Sequence, residues 1–582
     1  MAHIISGAAG SGKTTALYSL LKTDKGNKIL LVPDQFVFES ERRVADELGE
    51  KTSDITVTGF MSLSEQILKK YCPRKTYADN TAKLAIMSRA IKSLSQSFSF
   101  YGSAARKPGF VSVCLSGVDT LKNAGISPQR IYDLISADDM ASFAPTHFTD
   151  KMHDIALFYS LYDKMLTELY DDRQDNLLLA ARTIEENDCF PENTRVYIDG
   201  FDSFSGAQKE FLRAMAYKGV DFTVAVCTDD SGAEIFSECD KTKALFENKY
   251  AMDCGKPQKT EYTKLGNSAV RYKNDTLRVL RDFLQGEKAE KPADSHGITL
   301  AYSHNMSGEA DFVCANIRKL VRYEGYRYSD IAVICAAPAK YRDAVRSAAL
   351  RYEVPMFVDL PEPVSEKPLL RYLDCLLCAA EDPRGINIIR YIRSGFARIP
   401  SDKKEGKTVP LTLRDQHITE EYANRWDLKN RRWDRPFPHI TDDVERTVEN
   451  IRDKTVTPLI QFEKSVRNAG GKELVKRFAE FLFDKADISA AIQGKCQDNS
   501  TRQLRYVKEL TEEYNNLWRS VSDMLTSLYE TLDYRRTCGA YPHLLGADKS
   551  FTSAQGARQR AFRRPCKNKE QRCTRRVRYG SG

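Results

Sequence analysis

Apolar runs long enough to cross a bilayer are missing from this 582-residue chain, and Met1 leads straight into a strand-like segment. Neither a membrane span nor a secretory leader is therefore expected. Cysteine is sparse: fourteen residues, scattered singly apart from one close pair. That distribution argues against a disulfide framework and for reduced thiols in a cytoplasmic protein. The close pair, Cys375 and Cys378, lies in the apolar run Leu369–Ala380 with no second Cys or His pair nearby, and reads as a buried helix face. Acidic residues all but vanish from one region: between Gly556 and Gly582 ten basic residues face the single acid Glu570. The net charge of +8 is thus concentrated in that tail, the rest is close to neutral, and whole-chain charge is poor evidence for nucleic-acid binding.

What is present reads as several domains, since 582 residues exceed what one core supports. Strand-like runs at His3–Ser6, Ile29–Val32 and Ile55–Thr58 alternate with helical stretches, the pattern of a mostly parallel sheet. Helical periodicity then dominates, as in Leu84, Met87 and Ile91 or Ile155, Phe158, Tyr162, Leu166 and Leu169. Strand signals return at Val196–Ile198 and Phe222–Val226. A second α/β unit is expected from Gly297, with strands at Gly297–Tyr302, Asp330–Ile334 and Met356–Val358. The resulting division is 1–76, first α/β domain; 77–190, helical insertion; 191–290, first domain resumed; 296–380, second α/β domain; 381–532, further helical insertion. Residues 533–582 lose apolar periodicity and read as an aberrant basic end from truncation or a frame slip, in preference to a nucleic-acid-binding arm.

The chemistry begins at residue 7. Gly7, Ala8, Ala9, Gly10, Ser11, Gly12, Lys13 and Thr14 form a phosphate-binding loop between a strand and a helix. Its glycines let the backbone curl so that N–H groups meet phosphate oxygens. Lys13 reaches the outer phosphates, and the Thr14 hydroxyl ligates Mg²⁺. The ligands implied are ATP and Mg²⁺. Asp199, at the end of the apolar strand Arg195–Ile198, is the expected second carrier of the metal. Helix capping is the bland alternative for that aspartate.

In order and spacing these elements resemble the superfamily 1 helicase core, and specifically the AddB (RexB) subunits of the AddAB helicase–nuclease. The resemblance also rests on Leu31-Val-Pro-Asp-Gln-Phe36, Val57-Thr-Gly-Phe-Met-Ser-Leu63, Tyr197-Ile-Asp-Gly-Phe201 with Gln208, Gly325–Val333 and Trp426–Trp433 with Pro436-Phe437. It covers the chain to about Leu532. It implies two RecA-like domains with parallel sheets and helical insertions, an AddA-type helicase–nuclease partner, and a role in processing double-strand breaks on double-stranded ends and single-stranded DNA. Family members also carry a C-terminal nuclease domain with an iron–sulfur cluster. This sequence stops before those elements, so they are expected of the full-length relative and not of these residues.

The departures from a motor are specific. Gly200 stands where the resemblance predicts the glutamate that positions the attacking water, and loss of such a base costs ~10²–10⁴-fold. Val226–Gly232 lacks the glutamine of the corresponding helicase motif. No adenine-reading element precedes His3, and no arginine motif for the γ-phosphate is evident. Nucleotide binding without efficient hydrolysis is the expectation. For DNA, Arg425, Trp426, Lys429, Arg431, Arg432, Trp433 and Arg435 interleave cations with indoles, although tryptophans of a helical domain commonly belong to its core. Phe60 and Ser62 occupy a position that the resemblance implies faces single-stranded DNA. The competing readings are a stand-alone P-loop ATPase or kinase unrelated to DNA, and an interaction protein with a vestigial loop.

Overall fold

The computed structural model describes residues 2–49, 54–107, 109–136, 146–249, 260–265, 274–286, 297–358, 364, 367–401, 407–498 and 504–532. The basic tail 533–582 and nearly all of the polar stretch at 286–295 lie outside them. The chain divides into two compact units, one of residues 1–73 and 176–363, the other of residues 74–175 and 364–582.

The first unit is built on one all-parallel sheet. Its strands are β1 (Ala2–Gly7), β2 (Lys28–Leu31), β3 (Ile55–Thr58), β4 (Arg195–Ile198), β5 (Asp221–Cys227) and β6 (Thr260–Lys264), in the order β3-β2-β4-β5-β1-β6. The central strands read as continuous apolar runs because both faces are covered. Side chains alternate accordingly. Ile5, Leu30, Tyr197 and Ala225 point to one face, where they pack on Leu17, Tyr18 and Leu21 of α1 (Lys13–Thr23) and Val44 and Leu48 of α2 (Val37–Leu48). Ile4, Leu31, Val196, Ile198, Val224 and Val226 point to the other. There they meet α3 (Phe60–Tyr71) and the helices Asn176–Glu186 and Gly206–Tyr217. A capping box closes the start of the last of these, Ser205 accepting from the Gln208 N–H and Gln208 reaching back to the Ser205 N–H, as the sequence pattern requires.

Five of these six strands fall where the periodicity places them; β6 carries no comparable signal. The second sheet expected from Gly297 does not form among the described residues. Helices Met306–Tyr323 and Pro338–Arg351 pack together around Ala310, Cys314, Ile317 and Ala348. The three strand-like runs beside them carry no strand pairing, and Tyr302, Ile334 and Phe357 are about nine-tenths exposed. An extended segment needs a hydrogen-bonded neighbour to become a strand, and apolar content alone does not supply one.

The second unit is almost wholly helical. Helices Asn80–Leu94, Phe110–Asn123, Pro128–Ser136 and Thr146–Leu169 surround Met87, Val118, Tyr162 and Leu166. A larger core joins helices between Pro368 and Thr531 through Tyr372, Leu376, Ile388, Trp433 and Leu459. The two parts are tied where the long helix Leu504–Thr531 meets the first of them: Ser527 donates to Asp79 at 2.7 Å, and the Tyr170 and Thr531 hydroxyls lie 3.1 Å apart. A short antiparallel hairpin joins Arg398–Pro400 to Thr408–Pro410.

Buried charge orders the smaller helical group. Lys122, 1% exposed, gives its three N–H bonds to Asp163 (2.8 Å), Asp172 (3.0 Å) and Asp175 (2.6 Å), while Lys83 holds Asp172 from the other side at 2.5 Å. Burial pushes the Asp175 carboxyl up to about 6 against the pull of Lys122. Removing the lysine leaves carboxylates buried with too few donors. Lys122→Ala should therefore cost about 3–5 kcal/mol of stability, read from the denaturant midpoint. Without Lys122 the folded pKa of Asp175, already raised by burial, would stand further above its unfolded value. The folded state would bind protons more tightly, so the deficit should shrink as pH falls from 8 toward 5.

Candidate functional site

Parallel strands deliver their following loops to one edge of a sheet, and the phosphate-binding loop stands at that edge. β1 ends at Gly7, which pairs with Cys227 of β5; Ile198 of β4 pairs with Val224 of the same strand. The loop leaves β1, passes through Gly10 and Gly12, both left-handed, and enters α1 at Lys13. A Cβ on Gly7 would fall 2.5 Å from the Ser11 hydroxyl, which explains the glycine at that close approach. The Ser11 N–H donates to the Ala8 carbonyl at 3.2 Å. Gly12 offers no side-chain cap to α1, so the first N–H groups of the helix remain available for an anion.

Lys13 lies over this loop, its ammonium donating to the carbonyls of Gly7 (2.9 Å) and Ala8 (2.8 Å). The Thr14 hydroxyl donates to Asp199 at 3.3 Å, a contact across 185 residues of sequence. Asp199 follows β4 directly, its N–H bonded to the Leu31 carbonyl. Burial raises its carboxyl above the ordinary range; the Thr14 hydroxyl, the Gly200 N–H and the charges of Arg43 and Lys13 oppose that rise. Uncapped helix N–H groups, a lysine, a hydroxyl and a carboxylate are the donor set that a magnesium nucleotide needs, and the residues present fit it.

Arg43 carries no sequence motif and is the residue that pattern reading missed. It reaches back from α2 to place its guanidinium 4.4 Å above the Tyr18 ring of α1, and pairs with Glu47 at 2.7 Å. Only the helical spacing that puts Val44 and Leu48 against the sheet hints that the neighbouring face meets α1.

Gly200 has φ +82°, and a Cβ there would lie 3.3 Å from Cδ of Pro33. The departure from the helicase pattern is thus a backbone feature as well as a missing side chain. The segment after β5 is also tied down. Thr228 donates to Asp240 at 2.5 Å, and Asp230 holds Lys243 at 2.5 Å and Lys264 at 3.0 Å. The hydrogen bond from Lys243 keeps the Asp230 carboxyl below its usual range despite partial burial.

The DNA-contact candidates separate by burial. Phe60 is 2% exposed, packed edge-on against Phe201, Phe204 and Phe211. Trp433 is 1% exposed, its indole N–H donating to the Leu428 carbonyl at 3.1 Å. Neither ring presents a face to a base, which corrects the expectation for both: their apolar area is spent in the core. Ser62 is at the surface beside Gln66. Arg425, paired with Glu421 and near Glu445, is exposed, as are Arg431 and Arg435. Arg432 is exposed beside Asp434 and Asp382, and Lys429 is half-buried. Trp426 stacks on His439, centroids 4.0 Å apart and planes at 17°. Among the described residues no group of three or more His, Cys, Asp or Glu is placed to hold a metal ion, and no helix is long and apolar enough to cross a membrane.

Residues 4–279 match the family model described as ADDB, N-terminal. The chain is 24% identical over 568 residues to a B-type ATP-dependent helicase/deoxyribonuclease subunit from Clostridium botulinum (strain Loch Maree / Type A3), covering 91% of this chain and 47% of that protein. The proteins of the same name from Bacillus mycoides (strain KBAB4) and Bacillus anthracis are 23% and 24% identical, with the same coverage. The chain therefore spans about half the length of the curated relatives it matches.

One consequence is local. Gly200→Ala forces a side chain into a left-handed conformation beside Pro33 and should cost about 1–2 kcal/mol, seen as a lowered denaturant midpoint. An unchanged midpoint would mean that the turn relaxes freely.

Proposed function

With residues 4–279 belonging to the AddB N-terminal family, we propose that this chain is the nucleotide- and DNA-holding part of an AddB-type subunit. Such a subunit works beside an AddA-type helicase–nuclease in ATP-dependent processing of double-strand breaks. The observation that carries the nucleotide half of this reading is the Thr14–Asp199 contact of 3.3 Å. It joins the phosphate-binding loop to the carboxylate that directly follows β4. In the proposal Lys13 and the N–H groups of Gly10–Thr14 hold the phosphates, while Thr14 and Asp199 hold Mg²⁺. A bound magnesium nucleotide would supply charge at the end of the sheet and an ordering force on α1. This chain's residues bind and orient it. Gly200 supplies no side chain to act as a base for water, and in this reading the subunit is a degenerate motor whose power stroke belongs to the partner. The iron–sulfur cluster and nuclease chemistry belong, in this reading, to the full-length relative. The rival of a stand-alone kinase or ATPase would use the same loop, and does not account for the similarity to B-type subunits over 91% of the chain.

Binding of a non-hydrolysable ATP analogue with Mg²⁺, followed by calorimetry, tests the assignment. Wild type should bind, and Lys13→Ala should lose at least tenfold in affinity, the scale of one charge-assisted phosphate contact. Equal affinity in the variant would remove Lys13 from the site. The pH dependence gives a second check. The raised Asp199 carboxyl takes up a proton in competition with Mg²⁺ at a higher pH than an ordinary aspartate. Magnesium-dependent affinity should thus fall on acidification in wild type, whereas Asp199→Asn should be weaker at pH 7 and lose less of its remaining affinity as the pH falls.

A further inference from the structure

In the second unit the structure brings Lys429 beside two cations, Arg390 and Arg393, from a separate helical segment. The helix Gly385–Ile392 buries Ile388, Tyr391 and Ile392 and turns Ile386, Ile389 and Arg390, with Arg393 just beyond its end, toward an open groove of about 370 Å³. Cys375, Glu420 and Lys429 line it as well. Arg393 pairs with Glu420 at 2.9 Å. Arg390 and Lys429 make no ion pair among the described residues. The lining combines apolar side chains with three positive charges against one negative.

The rim is built by a specific backbone clamp. The N–H groups of Gly385 and Ile386 donate to the carbonyls of Arg431 (2.9 Å) and Lys429 (2.8 Å). A Cβ on Gly385 would come within 2.4 Å of the Leu428 carbonyl and 2.6 Å of the Trp433 indole nitrogen. Trp433, held by its own bond to Leu428, thus locks the turn that carries Lys429 against the helix that carries Arg390. The sequence suggested Trp433 as a stacking residue; its place is beneath the cations, as the post that positions them.

We propose that this groove is a binding site for the phosphodiester backbone of a single nucleic-acid strand, with Arg390, Arg393 and Lys429 as its phosphate contacts. An open groove lined by apolar side chains and cations suits a chain whose charges recur along one edge, and fixed cations supply sequence-independent affinity. Glu420 tempers the site by engaging Arg393. The inference deepens the proposed function, since it rests on the chain's binding DNA, yet it concerns a surface separate from the nucleotide loop. A free nucleotide carries the same phosphate chemistry and is the alternative source.

Titration of a fluorescent 20-nucleotide single strand, read by anisotropy across a range of salt, decides it. Arg390→Gln/Arg393→Gln/Lys429→Gln should weaken strand binding by about tenfold to a hundredfold near 0.1 M salt. It should also reduce the slope of log affinity against log salt by about 1–2, from roughly 0.7 per phosphate contact on single strands. Glu420→Gln should tighten binding several-fold by releasing Arg393, a gain that structural damage does not produce. Gly385→Ala should weaken binding while keeping all three cations. If wild type binds the strand but the triple and Glu420 variants match it, the groove assignment is wrong and the proposed function stands. If wild type binds no strand at all, both fall. If labelled ATP, and not the strand, is lost from the groove variants while the Lys13 site is blocked by Lys13→Ala, the site is for a free nucleotide and the strand proposal is overturned.

Discussion

The register of three parallel strands fixes the distance between the phosphate-binding loop and its carboxylate. Ile4, Val224 and Ile198 stand in one row across β1, β5 and β4, and neighbouring parallel strands lie about 4.8 Å apart. β1 runs on to Gly7 and the chain doubles back through left-handed glycines into α1. Thr14 therefore returns to the level of Asp199, one residue past the end of β4. A slip of one residue in β4 would turn Asp199 to the wrong face and bury or strand its charge. The apolar alternation of Ile4 and Ile5, Leu30 and Leu31, Val196 and Tyr197 holds that register in place, because each slip would exchange the residues packed in the two buried cores. Packing and chemistry are one constraint here.

Much of this was legible because the relevant signals are local. A buried parallel strand is a short apolar run and a phosphate loop is a glycine pattern; β1 to β5 and α1 follow from such signals. What escaped depends on partners distant in sequence. The runs at Gly297–Tyr302, Asp330–Ile334 and Met356–Val358 have strand composition, but pairing depends on a neighbour that composition cannot supply. β6 is polar, with Thr, Glu, Thr and Lys among its five residues, and becomes a strand only because β1 offers it an edge. Phe60 and Trp433 illustrate the same point for side chains. An aromatic beside cations reads alike in sequence whether it caps a surface or anchors a core, and only the contacts with Phe201, Phe211 and Leu428 decide.

The same logic gives the basic segment after Arg425 its meaning. As a string it suggested a surface of alternating indoles and cations. Folded, one indole is buried, the other stacks on His439, and Lys429 faces cations contributed by a helix forty residues earlier. In the nucleotide site, Gly200 shows the converse: a missing side chain was visible at once, while the left-handed turn against Pro33 that accompanies it was not. Restoring a glutamate there would install the functional group on a left-handed turn against Pro33.

The central claim is that the Thr14–Asp199 site holds a nucleotide without turning it over. Single-turnover hydrolysis of prebound radiolabelled ATP by this chain alone, with saturating single-stranded DNA and Mg²⁺, tests it directly. The account predicts that the label stays ATP over many minutes, with or without DNA. Rapid, DNA-stimulated release of phosphate that disappears in Lys13→Ala would contradict it, and would show that a water-activating group reaches this site by a route other than position 200.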